Sequence, residues 1–358
     1  MNTKKLSFPH LGDYYIPVKY LFNKLTTLII EPAPPITKKT IDIGFKYSPE
    51  FVCIPFKYNL GNLIEALDNG CEILIQAGGG CRYGYYKEVQ EEILRSLGYN
   101  FEFYSLKEGN TFKIKKLYSM FKKLNPKINP PLFTHYILLT LLMIYYIDKI
   151  DDFIRLNIGF EIHEKSFEKL KRKMYKSFTR CNHFSSLTYN YFKYKKKFKN
   201  IPINKEINCL KIGIIGELYT SMEPFSSYFL EKELANMNIE IKRFTNVTYL
   251  LIKKRFMKKK MLKYVKDYIK YPIGADGLDN VYRTKKLIDQ KYDGIIHIKP
   301  SGCTPEIGAM QIIKNICNDY KMPILFLSFD NQTSIEGIKT RIEAFYDMLN
   351  MKKGKKNE

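Results

Sequence analysis

The stretch QAGGGCRYGYYKEVQEEILRSLGY, Gln76 to Tyr99, follows the short apolar run CEILIQA. That run reads as a buried strand. Three glycines then lead to Cys81, and the residues after it read as an amphipathic helix with Val89, Ile93, Leu94 and Leu97 on one face and Gly98 as its stop. A strand, a permissive turn and a helix in that order are the unit of an α/β sheet, with a cysteine set at the turn.

Working outward, the first hundred residues repeat this rhythm. KLSFP, TLIIEP, FVCIPF, EILIQA and FEFYSL are candidate strands, and VKYLFNKL, LGNLIEALDNG and the segment after Cys81 are candidate helices. Such alternation implies a parallel sheet covered by helices. From about Thr111 to Asn200 no strand pattern is present, and the segment reads as a helical bridge with a lysine-rich linker. The rhythm resumes at Cys209 with CLKIGIIGE, IEIKRFT, DGIIHIKP and PILFLSF. The expected organisation is an N-terminal α/β domain over 1–110, a helical bridge over 111–206, a C-terminal α/β domain over 207–350 and a basic tail over 351–358.

Composition narrows the function classes. The chain has 358 residues, 45% hydrophobic and 15% aromatic, with no tryptophan. The first fifteen residues lack the apolar core of a signal peptide. The longest apolar run, YILLTLLMIYYI (Tyr136 to Ile147), is short for a bilayer span and reads as a buried helix. A cytoplasmic protein with no membrane association is the expectation. The formal charge of +23 comes from scattered lysines. It reads as a solvated surface rather than a nucleic-acid site, because no zinc-finger spacing or RNA-binding signature accompanies it. The rival reading is a basic α/β binding module for nucleic acid or another polyanion, with structural cysteines.

Position sorts the seven cysteines. Cys53 precedes the helix built on Leu60, Leu63, Ile64 and Leu67. Cys81 lies in the glycine turn, and Cys303 lies in HIKPSGCTPEIG, ahead of Thr304 as a helix cap and Pro305 as the first helical residue. All three are expected where a strand hands over to a helix, the edge at which open α/β sheets bind ligands. Glycines there let the backbone approach something bulky. Cys71 and Cys209 precede their strands, Cys317 falls inside a helix and Cys181 lies in the bridge; these four read as small buried hydrophobes. For Cys53, Cys81 and Cys303 the residues alone leave open a structural thiol, a nucleophile, zinc and an iron–sulfur cluster. A helix N-terminus favours the thiolate that metals require. No close C-x-x-C pair points to zinc, and three equivalent sites do not suit a single nucleophile.

CIPFK, GGGCRYGYYKEVQEEILRSLGY, GELYTSMEPFSSYFLEKEL, YDGIIHIKPSGCTPEIGAMQI and RIEAFYDML, in this order, resemble the 2-hydroxyacyl-CoA dehydratase superfamily, and look closest to its CoA-protein activase-related branch. The resemblance implies two flavodoxin-like α/β domains. It also implies one 4Fe-4S cluster with three cysteine ligands, carried over onto Cys53, Cys81 and Cys303. Arg82, beside one ligand and a helix start, reads either as a tuner of the cluster or as half of a structural salt bridge. Three thiolates leave one iron open to water, a substrate oxygen or sulfur. Dehydratases of this type use that position and a low-potential electron to dehydrate a 2-hydroxyacyl-CoA. The electron comes from a separate ATP-dependent iron–sulfur activator, and the enzymes pair two subunits of one fold. In this chain QAGGGCRYG lacks the Lys-Ser/Thr of a Walker loop, so ATP hydrolysis would belong to another protein. Glu217, Glu223, Glu306, Arg341 and Glu343 also fall in the resembling stretches and read as caps, ion pairs or interdomain contacts.

Overall fold

Residues 4–106 and 113–357 are described by a computed structural model, and they group into two compact units, 1–144 and 145–358. In the first unit the short strands β1 (Lys5–Ser7), β2 (Ile29–Ile30), β3 (Ile73–Gln76) and β4 (Glu102–Ser105) pair in the order β2-β1-β3-β4, all parallel. Helices α1 (Tyr15–Leu25), α2 (Lys38–Tyr47), α3 (Ile54–Asp68), α4 (Tyr86–Ser96) and α5 (Ile114–Leu124) fill the connections. Strand alternation sends Ile73 and Ile75 into one core, with Leu6, Phe22 and Phe121. It sends Leu74 into the other, with Phe56, Leu60, Leu63 and Leu94. Both faces of the sheet are therefore covered.

Helix α6 (Pro130–Arg155) begins in the first unit and ends in the second. Its 26 residues extend well beyond the twelve-residue apolar run, and by length and composition it is long and apolar enough to cross a membrane. Leu139, Met143, Ile147, Ile150 and Ile154 are buried along it. Near its end Asp151 pairs with Lys171 at 2.8 Å, and Arg155 pairs with Asp152 at 2.9 Å. An antiparallel pair follows, α7 (Ser166–Phe178) and α8 (Phe184–Lys199).

The second unit repeats the wiring of the first. β5 (Lys211–Gly216), α9 (Leu218–Met222), α10 (Leu230–Asn236), β6 (Glu240–Arg243), α11 (Lys254–Tyr264), α12 (Gly277–Asp289), β7 (Gly294–Pro300), α13 (Thr304–Asp319), β8 (Ile324–Phe329) and α14 (Ile335–Asn357) complete the chain. Its strands pair in the order β6-β5-β7-β8, again all parallel. One face packs Ile215, Val281, Leu287, Ile295, Ile313 and Ile316 together. Both sheets thus have the doubly wound, flavodoxin-like strand order, in which ligands bind beyond the carboxyl ends of the two central strands. The α/β expectation is borne out.

Three local expectations are corrected. FVCIPF is not a strand: Phe51 and Val52 lie in a turn, and α3 begins at Ile54 with Pro55 in its first turn. A proline near a helix start has no hydrogen bond to lose, so the helix wins over the β-rich composition. Helix α2, which carries no strong apolar stripe, was not anticipated; Thr37 and Thr40 close its start with reciprocal hydrogen bonds. On α4 the buried residues are Tyr86, Gln90 and Leu94, while Val89 and Leu97 are exposed. Gln90 takes the inner position because both ends of its amide are paired, accepting from Gln76 at 2.7 Å and donating to the Phe56 carbonyl at 3.3 Å. Gly98 does end that region, with φ +87°.

Candidate functional site

The glycine turn has two distinct physical causes. Gly78 adopts φ +70°, which favours glycine. At Gly79 a Cβ would lie 2.6 Å from Cβ of Tyr83, so a side chain there would displace the tyrosine. Gly80 borders open space. The close approach expected of the glycines is therefore made by Gly79 to the protein's own Tyr83.

Cys81 is exposed and caps a 3-10 turn, Arg82–Tyr85, its sulfur accepting from the Tyr83 N–H at 3.5 Å. Cys53 is half-buried and is the N-cap of α3. It follows a turn rather than a strand, which corrects the strand-end expectation while keeping it at a helix start. The two cysteines converge on Tyr86: its hydroxyl contacts Cys53 Sγ, and both sulfurs act on it electrostatically. Burial above all, and then the two cysteines, hold that phenol well above its ordinary range, so it stays protonated. Tyr83 stacks against Tyr86 with ring centroids 4.5 Å apart, and Asn59 of α3 donates to the Tyr83 hydroxyl at 2.7 Å. These contacts tie the start of α3 to the start of α4. Arg82 is exposed and, among the described residues, forms no ion pair.

In the second unit Cys303 is half-buried and is itself the N-cap of α13, one residue earlier than the expected cap at Thr304. Pro305 sits in the first turn. Lys299, a buried residue of β7, interacts electrostatically with Cys303. Burial lowers its pKa, and Cys303 and Glu306 partly oppose that shift. Behind this edge lies a buried polar network. Glu306 accepts from Asn280 Nδ2 at 2.9 Å on each oxygen and lies 2.7 Å from His297 Nε2. Asn280 also clamps Gly216, accepting from its N–H at 3.2 Å and donating to its carbonyl at 3.0 Å. Gly216, at φ +143°, admits no side chain, because a Cβ would fall 1.9 Å from the Ile298 carbonyl oxygen. That kink aims Glu217 at the first turn of α9, where it accepts from the N–H groups of Tyr219 and Thr220 at 3.0 and 2.8 Å.

Burial, helped by Asp276 against its own hydrogen bonds, pushes the Glu217 carboxyl up to about 7 from 4.5. The folded chain then holds this proton more tightly than the unfolded chain between those values. Stability of the second unit should fall as pH rises through that window and level off above it. Glu217→Gln should flatten the dependence in denaturant titrations run from pH 5 to 8. An unchanged slope in the variant would assign it to another group.

The remaining cysteines behave as buried hydrophobes. Cys71 and Cys209 lie just ahead of β3 and β5, and burial raises both thiols. Cys317 sits in the core under α13, pushed up to about 12. Cys181 is buried between α7 and α8, where it donates to the Ser177 carbonyl at 3.3 Å. Glu223 is buried, with Phe225 N–H donating to it at 3.3 Å, whereas Arg341 and Glu343 are exposed on α14. Tyr83, Tyr86, Asn59, Lys299, His297 and Asn280 were not singled out from the sequence. The only available signal was the polar pair Asn59 and Asn62 inside the apolar face of α3.

Among the described residues, no group of three or more His, Cys, Asp or Glu side chains is assembled to hold a metal ion. Within the first unit the donor chemistry nonetheless suits an iron–sulfur cluster. Cys53 and Cys81 are soft donors at helix or turn starts, where positive partial charge favours anionic sulfur, and they share a phenol that can donate to it.

Comparison with known proteins adds one match. The family model described as 2-hydroxyglutaryl-CoA dehydratase, D-component, matches residues 243–349, which include Cys303 but neither Cys53 nor Cys81. No curated protein sequence matches significantly. The match does not single out the CoA-protein activase-related branch and says nothing of a cluster. The similarity to the 2-hydroxyglutaryl-CoA dehydratase D-component family thus spans residues 243–349, less than half of the chain.

Proposed function

We propose that this protein is an iron–sulfur redox subunit of the dehydratase type, with Cys53, Cys81 and Cys303 as the ligands of one 4Fe-4S cluster. The observation that carries this reading is positional. Cys81 follows β3 and Cys303 follows β7, the same strand in two sheets of the same order, while Cys53 caps the helix leading into β3. When bound, such a cluster supplies single electrons, and with three thiolates it leaves one iron open to another ligand.

The protein's own groups would tune that chemistry. As a thiolate Cys53 can only accept, so the protonated Tyr86 hydroxyl donates to it and withdraws charge from the sulfur. Lys299 sets a positive charge near Cys303. The low-potential electron would come from a separate ATP-dependent iron–sulfur activator, with a second subunit of the same fold and an acyl-CoA as substrate.

The test is anaerobic purification followed by iron and sulfide analysis, absorbance and EPR. A brown protein with equal iron and sulfide, absorbing broadly near ~400 nm, is expected. Its signal should be reduced by an activator only when ATP is present. A colourless chain that takes up no iron after anaerobic reconstitution would sink the proposal.

A further inference from the structure

A second feature lies in the α7–α8 hairpin, which carries none of Cys53, Cys81 and Cys303. Between these helices is a cavity of about 480 Å3 whose charged lining is Lys173, Lys176 and Arg180. Its remaining wall includes Ser177, Ser186 and Asn190. No carboxylate lines it, and among the described residues none of the three cations is ion-paired. Their neighbours are different: Lys171 pairs with Asp151 at 2.8 Å, and Arg172 pairs with Glu168. The surrounding sequence holds no spare counter-charge, since residues 165–199 carry twelve Lys and Arg against the single acid Glu168. Unpaired positive charge thus collects on the concave surface.

The floor of the cavity is fixed by hydrogen bonds. Ser177 donates to Asn190 Oδ1 at 2.7 Å, and Asn190 donates to the Ser186 carbonyl at 2.9 Å and to Cys181 Sγ at 3.5 Å. Tyr194 forms part of the wall, its hydroxyl donating to the Lys173 carbonyl at 3.0 Å. α7 ends here and α8 begins, so their partial charges of about half a unit oppose each other, and the three full cations set the sign. An arginine fork beside two lysine point charges is the donor set that suits phosphate oxygens. The volume falls in the range of small-molecule sites, roughly 300–1,000 Å3, and exceeds what a lone phosphate fills.

We propose that the α7–α8 cavity binds the phosphate group of a small organic phosphate, with Arg180, Lys176 and Lys173 as the anion clamp. This assignment is independent of cluster binding and of the dehydratase reading.

Calorimetric titration of the full chain with ADP, adenosine, inorganic phosphate and a single-stranded oligonucleotide tests it at moderate salt. ADP should bind saturably at one site, and adenosine should not. Arg180→Ala should weaken ADP by roughly tenfold or more, as loss of a bidentate charge-assisted contact would, and Arg180→Lys should weaken it less. Both residues are exposed, so Arg180→Ala and the control Lys193→Ala, on α8 but off the cavity, should fold alike. The control should bind as the wild type does. Equal weakening in the two alanine variants, equal affinity for inorganic phosphate, or binding of the oligonucleotide alone would each overturn the proposal.

Discussion

Alanine at Cys53, Cys81 or Cys303 is expected to abolish retention of iron and sulfide, whereas alanine at Cys71, Cys181, Cys209 or Cys317 should leave it intact. The contrast rests on where the sulfurs lie. The first three are half-buried or exposed at the start of a helix or turn, and the last four are buried. With three protein ligands, loss of one leaves two, and a cluster held by two thiolates should not survive gel filtration. Each alanine at the three sites also removes little apolar contact, so folding should persist and the readout should report on ligation. Iron and sulfide contents of all seven variants, after anaerobic reconstitution, decide the matter. Full content in Cys303→Ala would restrict any cluster to the first unit and break the three-ligand assignment. Tyr86→Phe supplies a finer reading: the cluster should stay, and its reduction potential should drop, because the sulfur regains the charge that the phenol withdrew.

The second large effect concerns stability alone. Glu306→Ala should destabilise the second unit by roughly 3–5 kcal/mol, since it removes a partner from each of two buried groups at about 1–3 kcal/mol each and leaves a void. Those groups are the Asn280 amide and the His297 imidazole, both fully buried. His297 Nδ1 is already without a hydrogen-bond partner among the described residues, so the ring has no alternative contact to fall back on. Glu306→Gln keeps volume and an acceptor, and should cost less than half as much. Hydrogen exchange of β5 and β7 amides reports on this unit by itself, which a global melt of a two-unit chain does not. Protection in Glu306→Ala equal to that of the wild type would show that the network is slack.

What could be read beforehand followed the strength of the local signal. All eight strands among the described residues were legible, because short aliphatic and aromatic runs between helical patterns have few other uses in a parallel sheet. The strand assigned to FVCIPF failed because the helix-start preference of proline outweighs the β-propensity of four apolar residues. On α4 the apolar count was right for Leu94 and Ile93, which pack in the core, and wrong for Val89 and Leu97. Gln76 donates to Gln90 inside, and only a partner distant in sequence could have revealed it. The three cysteines expected at strand-to-helix junctions do stand at helix or turn starts, although Cys53 follows a turn and not a strand, and the other four are buried. Tyr86, Lys299 and the Asn280–Glu306 pair were illegible for the opposite reason. Their roles come from tertiary neighbours that no spacing rule encodes.

The shared strand order has one more consequence, which concerns inheritance. The helix entering the third strand of each sheet starts at a capping residue: Cys53 in the first half, Asp276 in the second. Asp276 is committed to Lys254 at 2.6 Å and to the Leu218 N–H at 3.2 Å. Two halves that follow one route therefore differ in chemistry at equivalent corners, sulfur in one and an ion-paired carboxylate in the other. Neither residue lies within a strand of its sheet. A descendant of this chain could lose or acquire redox character by exchanges at helix starts while both sheets went on folding unchanged.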